Sequence, residues 1–307
     1  MEESREVRLT VDPEYEGLRL DQYLSLIRDD MSRSRISRLI ESGAVSVNDK
    51  NIVKSSFRVS EEDIVTLLIP EAEVLEILPE DIPLDILYED NDVIVVNKPK
   101  GMVVHPSAGH MDGTLVNALL YHCKDLSGIN GVLRPGIVHR IDKDTSGSVI
   151  ACKNDNAHNK IAAALKDHSL KRLYRAIVKG VIKEDGTVDK PIGRNKNDRK
   201  KMGIRPDGKR AVTHYKVLET FKDHTYIECS LETGRTHQIR VHMASIAHPV
   251  LGDQVYGSGK SPYKTEGQAL HAMVLGFIQP VTGEYIETTA PLPEYFLKIL
   301  SDLRRRN

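Results

Sequence analysis

Between residues 71 and 92 the chain carries nine acidic residues, no basic ones and two prolines, Pro79 and Pro83. Like charges at that density repel one another, and each proline removes a backbone donor, so no core element is expected to run through the stretch. A chain of 307 residues interrupted in this way reads as two bodies, a small one before the break and a large one after it. The expected division is an N-terminal extension over 1–15, a small domain over 16–70, an acidic linker over 71–84 and a large domain over 85–303.

The formal net charge of −1 conceals a second segregation. Residues 166–216 hold 16 Lys or Arg against six Asp or Glu, which points to a polyanion bound on one face. Within them, 194–210 (RNKNDRKKMGIRPDGKR) reads as a basic loop. With 40% hydrophobic and 28% charged residues, collagen-like, mucin-like and wholly disordered chains are excluded. There is no apolar run of about 18 residues, and the start MEESREV lacks the pattern of a signal peptide, so a cytoplasmic protein without a membrane partner is expected. Cys123, Cys152 and Cys229 are odd in number, widely spaced and without a CxxC, which suits reduced thiols better than disulfides or a thiolate zinc site.

In the small domain, Leu20, Tyr23, Leu24 and Ile27 form one helical stripe, and Ile36, Leu39 and Ile40 form another after Ser32, a candidate cap. Arg35 and Arg38 point away from the second stripe, and Ala44 to Val47 alternate ahead of the turn Asn48-Asp49, so a helix presenting arginines feeds a hairpin. Through LRLDQYLS (18–25), SRSRISRLIESGAVSVND (32–49) and DIVTL (63–67), this part resembles the alpha-L, or S4-type, RNA-binding domain. Arginines and backbone donors on such a surface suit structured RNA read largely by shape.

The large domain reads as strand-rich. Strands are predicted over 86–88, 93–96, 148–152, 172–178, 212–218, 226–231 and 269–277, with helices over 115–120 and 157–165 and a closing helix before a frayed tail at 304–306. Helices and strands do not alternate one for one, which makes the class α+β rather than a regular βαβ series.

Common catalytic signatures fail. Gly257-Ser258-Gly259-Lys260-Ser261 lacks a P-loop's first glycine, since Gln254 stands there, and the chain has no GxGxxG after a strand, no GxSxG and no HExxH. His237 and His242 are five apart, off the shared face a helical metal pair needs. No metal and no cofactor are expected.

Three polar segments remain. In 138–147, a carboxylate among Arg140 and Lys143 has its ionised form favoured, which suits a nucleophile or proton acceptor and singles out Asp142. Asp144 to Gly147 have the composition of a tight turn whose side chains bond their own backbone. In 231–256, Arg240 lies between Ile239 and Val241, and if buried must find an anion because a guanidinium keeps its proton; Asp142 is the natural partner. Tyr174 in 171–178 is an aromatic ring on a strand among cations.

Taken together, NKPKGMVVHP (97–106), HRIDKDTSG (139–147), KRLYRAIVKG (171–180) and GRTHQIRVHMASIAHPVLGDQVYG (234–257) resemble, in order, the motifs of the RluA/RluD-type RNA pseudouridine synthases, the RluD branch above all. The resemblance implies a mixed, mainly antiparallel sheet and a uridine isomerase without cofactor. It makes Asp142 the essential aspartate, Tyr174 the ring that stacks on the base, and Arg240 the cation paired with the aspartate. Arg140 matches the arginine that displaces the target base, and His139, Arg235 and the helical Arg35 and Arg38 are expected to contact RNA. The implied partner is structured RNA, large-subunit ribosomal RNA above all, met by a single copy of the chain. Two departures, Ile141 for Leu and Ser148 for an aliphatic residue, lie beside the chemistry. A pure RNA-binding or assembly factor would not need all three of Asp142, Tyr174 and Arg240, and a base glycosylase would release uracil.

Overall fold

The structure is a computed structural model that describes residues 5–28, 31, 33–69, 77–106, 110–129, 135–196, 198, 201–257, 263 and 265–306. It divides into two compact units, Met1–Leu75 and Glu76–Asn307.

The first unit comprises β1 (Arg5–Thr10), α1 (Leu20–Ile27), α2 (Arg33–Glu41), β2 (Val45–Val47), β3 (Lys50–Asn51) and β4 (Ile64–Ile69). The strands form an antiparallel sheet in the order β1-β4-β2-β3. The expected stripes supply its core: Leu20, Tyr23, Leu24, Ile36 and Ile40 pack with Val45, Val65 and Leu67. Asn48 and Asp49 turn the β2–β3 hairpin with φ of +47° and +63°, the left-handed pair that a two-residue hairpin loop requires. Residues 5–15 are not an extension, because β1 pairs with β4 from Arg5 opposite Ile69 to Thr10 opposite Ile64. The β1 sequence alternates charged and apolar residues, and a partner strand remote in sequence gives it its place. Ser32 lies outside the described residues.

The second unit is built on a nine-stranded sheet made of β5 (Ile86–Glu89), β6 (Val93–Lys98), β7 (Ser146–Cys152), β8 (Lys171–Lys179), β9 (Gly186–Asp189), β12 (Val212–Thr220), β13 (His224–Leu231), β14 (Leu270–Ile278) and β15 (Tyr285–Thr289). The order is β5-β6-β7-β14-β8-β13-β12-β9, with β15 on β14, and only the β7–β14 pair is parallel. The class is the mixed, mainly antiparallel α+β architecture expected. Alternation sorts the side chains between two faces. Ile94, Val96, Val149, Tyr174, Ala176 and Ile227 meet α3 (Leu115–His122) and α5 (Gln238–Ser245) on one face. On the other, Val93, Val95 and Ile150 meet α4 (Asp155–Lys166), while Ile177 and Tyr226 meet α6 (Glu294–Arg306).

Four sequence expectations change here. The second half of the acidic linker belongs to this unit: Ile77 and Leu84 pack on its core, and the Leu78 carbonyl accepts from Asn117 Nδ2 at 2.8 Å. Residues 70–76 lie outside the described residues. The basic tract is not simply a loop, because β10 (Ile192–Arg194) and β11 (Met202–Ile204) pair as a short hairpin. The tail does not fray: α6 runs through Arg306, with Arg304 held on Glu219 at 2.7 Å. The turn expected over 144–147 ends earlier, closed by Thr145 N–H on the Asp142 carbonyl, while Ser146 and Gly147 open β7; the side chains bond neighbouring segments, Thr145 Oγ1 accepting from Gln268 Nε2 and Ser146 Oγ meeting His271 Nδ1.

Gly147 makes the β7–β14 junction possible. Its φ is +112°, and a Cβ there would lie 2.2 Å from the Ala272 carbonyl oxygen. Cys123, Cys152 and Cys229 are buried and unlinked. Among the described residues no helix is long and apolar enough to cross a membrane.

Candidate active site

Asp142 sits on the loop that enters β7, and that loop is tied down from two directions. Thr145 N–H donates to the Asp142 carbonyl at 3.0 Å. The fully buried Lys98 ammonium donates to the carbonyls of Pro99, Met102 and Lys143 at 2.7, 2.8 and 3.1 Å, joining the Asn97-Lys98-Pro99 segment to the residue after Asp142. Burial pulls that ammonium down to about 7, opposed by the charges of Asp144 and Asp142.

The carboxylate is 17% exposed and Arg240 Nη1 donates to its Oδ2 at 2.8 Å. Arg240, in the first turn of α5, is itself only 5% exposed. Its Nε and Nη2 both donate to buried Asp253, at 2.7 and 3.0 Å, so the guanidinium is clasped by one carboxylate and offers its remaining edge to another. Burial disfavours its charge, but the hydrogen bonds and charges of Asp253 and Asp142 outweigh that and hold its pKa above the ordinary value. Burial likewise works against the Asp253 charge, and the Arg240 contact overrides it, with the pKa lowered.

His237 caps α5 from the left-handed region, at φ +56° and ψ +22°, a conformation uncommon for a non-glycine residue. Its Nε2 lies 3.8 Å from Asp142 Oδ1, and its Nδ1 meets the Tyr256 hydroxyl at 2.8 Å. Tyr256 also accepts from Met202 N–H on β11 and lies under the Arg240 guanidinium, 5.1 Å from ring centroid to Cζ. His242 is engaged elsewhere, against Thr213 Oγ1 and the Lys190 carbonyl, so the two histidines do not converge on a common point.

Tyr174, 8% exposed, reaches the site from β8, opposite Ala272 and beside a bulge in β14 that re-aims the local strand. Asp142, Tyr174 and Arg240 line one cavity of about 370 Å³ together with Arg140, Arg235, His237 and Leu270. It opens onto a larger space of about 1210 Å³ that adds His139, Lys166, His168 and Arg172. Among the described residues lining these spaces, Asp142 is the only carboxylate, set against Arg140, Arg235, Arg240, Lys166 and Arg172.

The three residues singled out from sequence therefore meet in one cleft. Arg140 is exposed at its rim, and Arg235 is steadied by an Nε hydrogen bond to the Arg210 carbonyl at 3.0 Å. His139 turns inward: its Nε2 accepts from Ile150 N–H at 3.1 Å, and burial, with the charge of Arg172 added, pushes its pKa down to about 3. The ring is therefore neutral in ordinary buffers. Arg35 and Arg38 belong to α2 of the first unit, where Arg38 is exposed and the Arg35 side chain lies outside the described residues.

Sequence reasoning missed Asp253, His237, Tyr256 and Lys98. Asp253 had a signal: a buried guanidinium has five donors, and Asp253 is the single acidic residue of 234–257. Lys98 had none, since nothing local distinguishes a buried lysine from a solvated one.

The family model for RNA pseudouridylate synthase matches residues 92–245, and that for the S4 domain matches residues 18–65. The chain is 52% identical over 301 residues to the uncharacterized RNA pseudouridine synthase YlyB of Bacillus subtilis, covering 98% of this chain and 99% of the relative. It is 49% identical to the ribosomal large subunit pseudouridine synthase D of Zymomonas mobilis, covering 94% of each. Among solved structures, human RNA pseudouridylate synthase domain containing 1 aligns with a TM-score of 0.55 at 26% identity, over 76% of this chain and 97% of that one. A polar cleft on a mainly antiparallel sheet, the full-length likeness and both family models agree: this chain belongs to the RNA pseudouridylate synthases, isomerases acting on RNA, and carries an S4 domain ahead of its synthase domain.

Proposed function

We propose that the enzyme converts uridines of large-subunit ribosomal RNA to pseudouridine, with Asp142 as the catalytic carboxylate. The observation that carries this reading is the ion pair at 2.8 Å between Asp142 and Arg240 in a cavity that Tyr174 also lines. In the isomerisation the N1–C1′ bond breaks and a C5–C1′ bond forms, while a proton leaves C5 and one is gained at N1, so nothing is released. Arg240 aims Asp142 through the 2.8 Å contact and takes no part in proton transfer, since a guanidinium does not give up its proton. Tyr174 supplies a flat surface for the loosened uracil, and Arg140 at the rim takes the place of the extruded base. Arg235 and the basic hairpin, with Arg35 and Arg38 of the S4 domain, hold the RNA backbone, and His139 supports the cleft wall. A single copy of the chain suffices, because every group named belongs to it. The ribosomal substrate is supported by relatives named as large-subunit synthases.

The test maps pseudouridine in large-subunit ribosomal RNA transcripts treated with the purified enzyme and with Asp142→Asn. The wild type is expected to modify discrete uridines, while the variant binds the transcript within about twofold of wild type and yields no product. Product from Asp142→Asn would remove Asp142 from the chemistry. Released uracil would indicate a glycosylase instead.

A further inference from the structure

One buried cation in the cleft has no role in the reaction described above. Arg172 is 7% exposed and lines the larger cavity with Asp142 and Tyr174, and its Nε and Nη2 are shut from solvent without a hydrogen-bond partner. Arg240 presents the same two nitrogens to a carboxylate, Asp253. A guanidinium cannot relieve its burial by losing a proton, so an unmatched one is held at a net cost in free energy. Chains rarely retain such a group unless an anion meets it in the working state.

Among the described residues lining the cavity, no free anion is placed to do so. The side chains around the cavity are cationic or neutral apart from Asp142, which is already on Arg240. Gly234 stands against the group: a Cβ there would fall 2.9 Å from Arg172 Nη1, so the absence of a side chain leaves room for the guanidinium. Arg172 and Tyr174 project from the same face of β8, two residues and about 6.7 Å apart along the strand. That span is comparable to the distance from a pyrimidine ring to the phosphate of its own nucleotide.

We propose that Arg172 is a buried anchor for the phosphodiester of the nucleotide that enters the cleft, holding the backbone while the base lies against Tyr174. This rests on the synthase reading of the cleft and adds a positioning residue to it. The anchor acts by charge and hydrogen bonding on a group that does not react, so its loss appears mainly in binding rather than in the chemical step.

The experiment compares wild type with Arg172→Met and Gly234→Ala on the ribosomal transcript, and on a synthetic RNA fragment spanning a mapped uridine. The fragment is made with either a phosphodiester or an uncharged methylphosphonate at each flanking linkage. Arg172→Met is expected to raise KM about ten- to a hundredfold, the range of a charge-assisted hydrogen bond. Its melting temperature is expected to hold or rise, because a buried unmatched charge has been removed. Wild type is expected to lose affinity for the fragment methylated at one linkage, and Arg172→Met to bind both fragments equally. Gly234→Ala, which crowds the guanidinium without deleting it, should raise KM in the same direction and guards against a variant that fails to fold.

A lowered melting temperature with unchanged KM would make Arg172 a structural residue, and equal methylphosphonate losses in wild type and variant would also overturn the anchor. Transcript binding reads the anchor without catalysis: the slope of log affinity against log salt should fall in magnitude by about 0.7 in Arg172→Met. A changed slope in an enzyme that modifies no ribosomal uridine would sink the substrate reading alone. An unchanged slope and KM in an active enzyme would sink the anchor alone.

Discussion

Arg240 is the side chain on which the site's geometry turns, and Asp253 is what lets it serve. A guanidinium held only by Asp142 could swing with it; held on two nitrogens by a second, fully buried carboxylate, it fixes the direction from which Asp142 is approached. Asp253→Asn should therefore lower stability by about 3 kcal/mol or more, read by urea unfolding, because breaking a buried pair leaves a charge without its partner. The same variant should reduce turnover more than RNA affinity. Arg240 was legible because a charge between two apolar neighbours on a helix must be accounted for. Asp253 follows only after counting the donors Arg240 has to satisfy.

His139 carries a pH prediction. Folded, it stays neutral down to about 3, with Nε2 accepting from Ile150 N–H; unfolded, it takes up a proton near 6.5. The unfolded chain thus binds more protons between those values, so stability present above about pH 6.5 is lost as pH falls toward 3, at up to about 1.4 kcal/mol per pH unit for this group. The buried rings of His158, His242 and His271 and the half-buried ring of His237 are shifted in the same direction. Melting temperature followed from pH 7.5 to pH 4.5 should hold to about pH 6.5 and fall below it, and a flat profile would show that His139 is not neutral in the fold.

Among the elements, the crossing of β7 and β14 is where the loop bearing Asp142 is delivered to the sheet. It exists because residue 147 has no side chain: both the positive φ and the 2.2 Å approach to Ala272 exclude a Cβ. Gly147→Ala is expected to cost more than about 3 kcal/mol in chemical denaturation, combining backbone strain with a forced separation of two strands. A loss under about 1 kcal/mol would mean that the strands separate freely. The longer strands β6, β8, β13 and β14 and the helices α3 and α4 were readable from their apolar runs, while the Thr114 capping box that opens α3 emerged only from the structure. The strands β9, β10, β11 and β15, of three to five residues, were not. Their pairing partners, rather than their own composition, make them strands. The β2–β3 turn was legible for the opposite reason, since its conformational demand falls on Asn48 and Asp49 alone.

For the molecule as a whole, opposite charges are segregated along the chain, and the two units have separate hydrophobic cores. A fragment spanning residues 77–307 is expected to fold with a cooperative transition close to that of the intact chain's second unit, and to bind ribosomal transcript at least tenfold more weakly. Calorimetry and a filter-binding titration check the two halves of this expectation; an unchanged affinity would remove the S4 domain from RNA capture. Binding by the intact chain should weaken steeply with salt, as displaced counterions require. Two bodies, the α+β class, the hairpin of the first unit and the candidates Asp142 and Arg240 could be read along the chain, because each rests on local spacing or on one residue whose chemistry demands an explanation, whereas Tyr174 was singled out by the resemblance of its motif. Folding alone determined that residues 5–10 complete a sheet, that Arg240 answers to two carboxylates, and that Arg172 lies buried beside Tyr174 with nitrogens unmatched. Those facts depend on which distant segments meet, and contact between segments far apart in sequence is set by the packing of the entire core rather than by any stretch of residues.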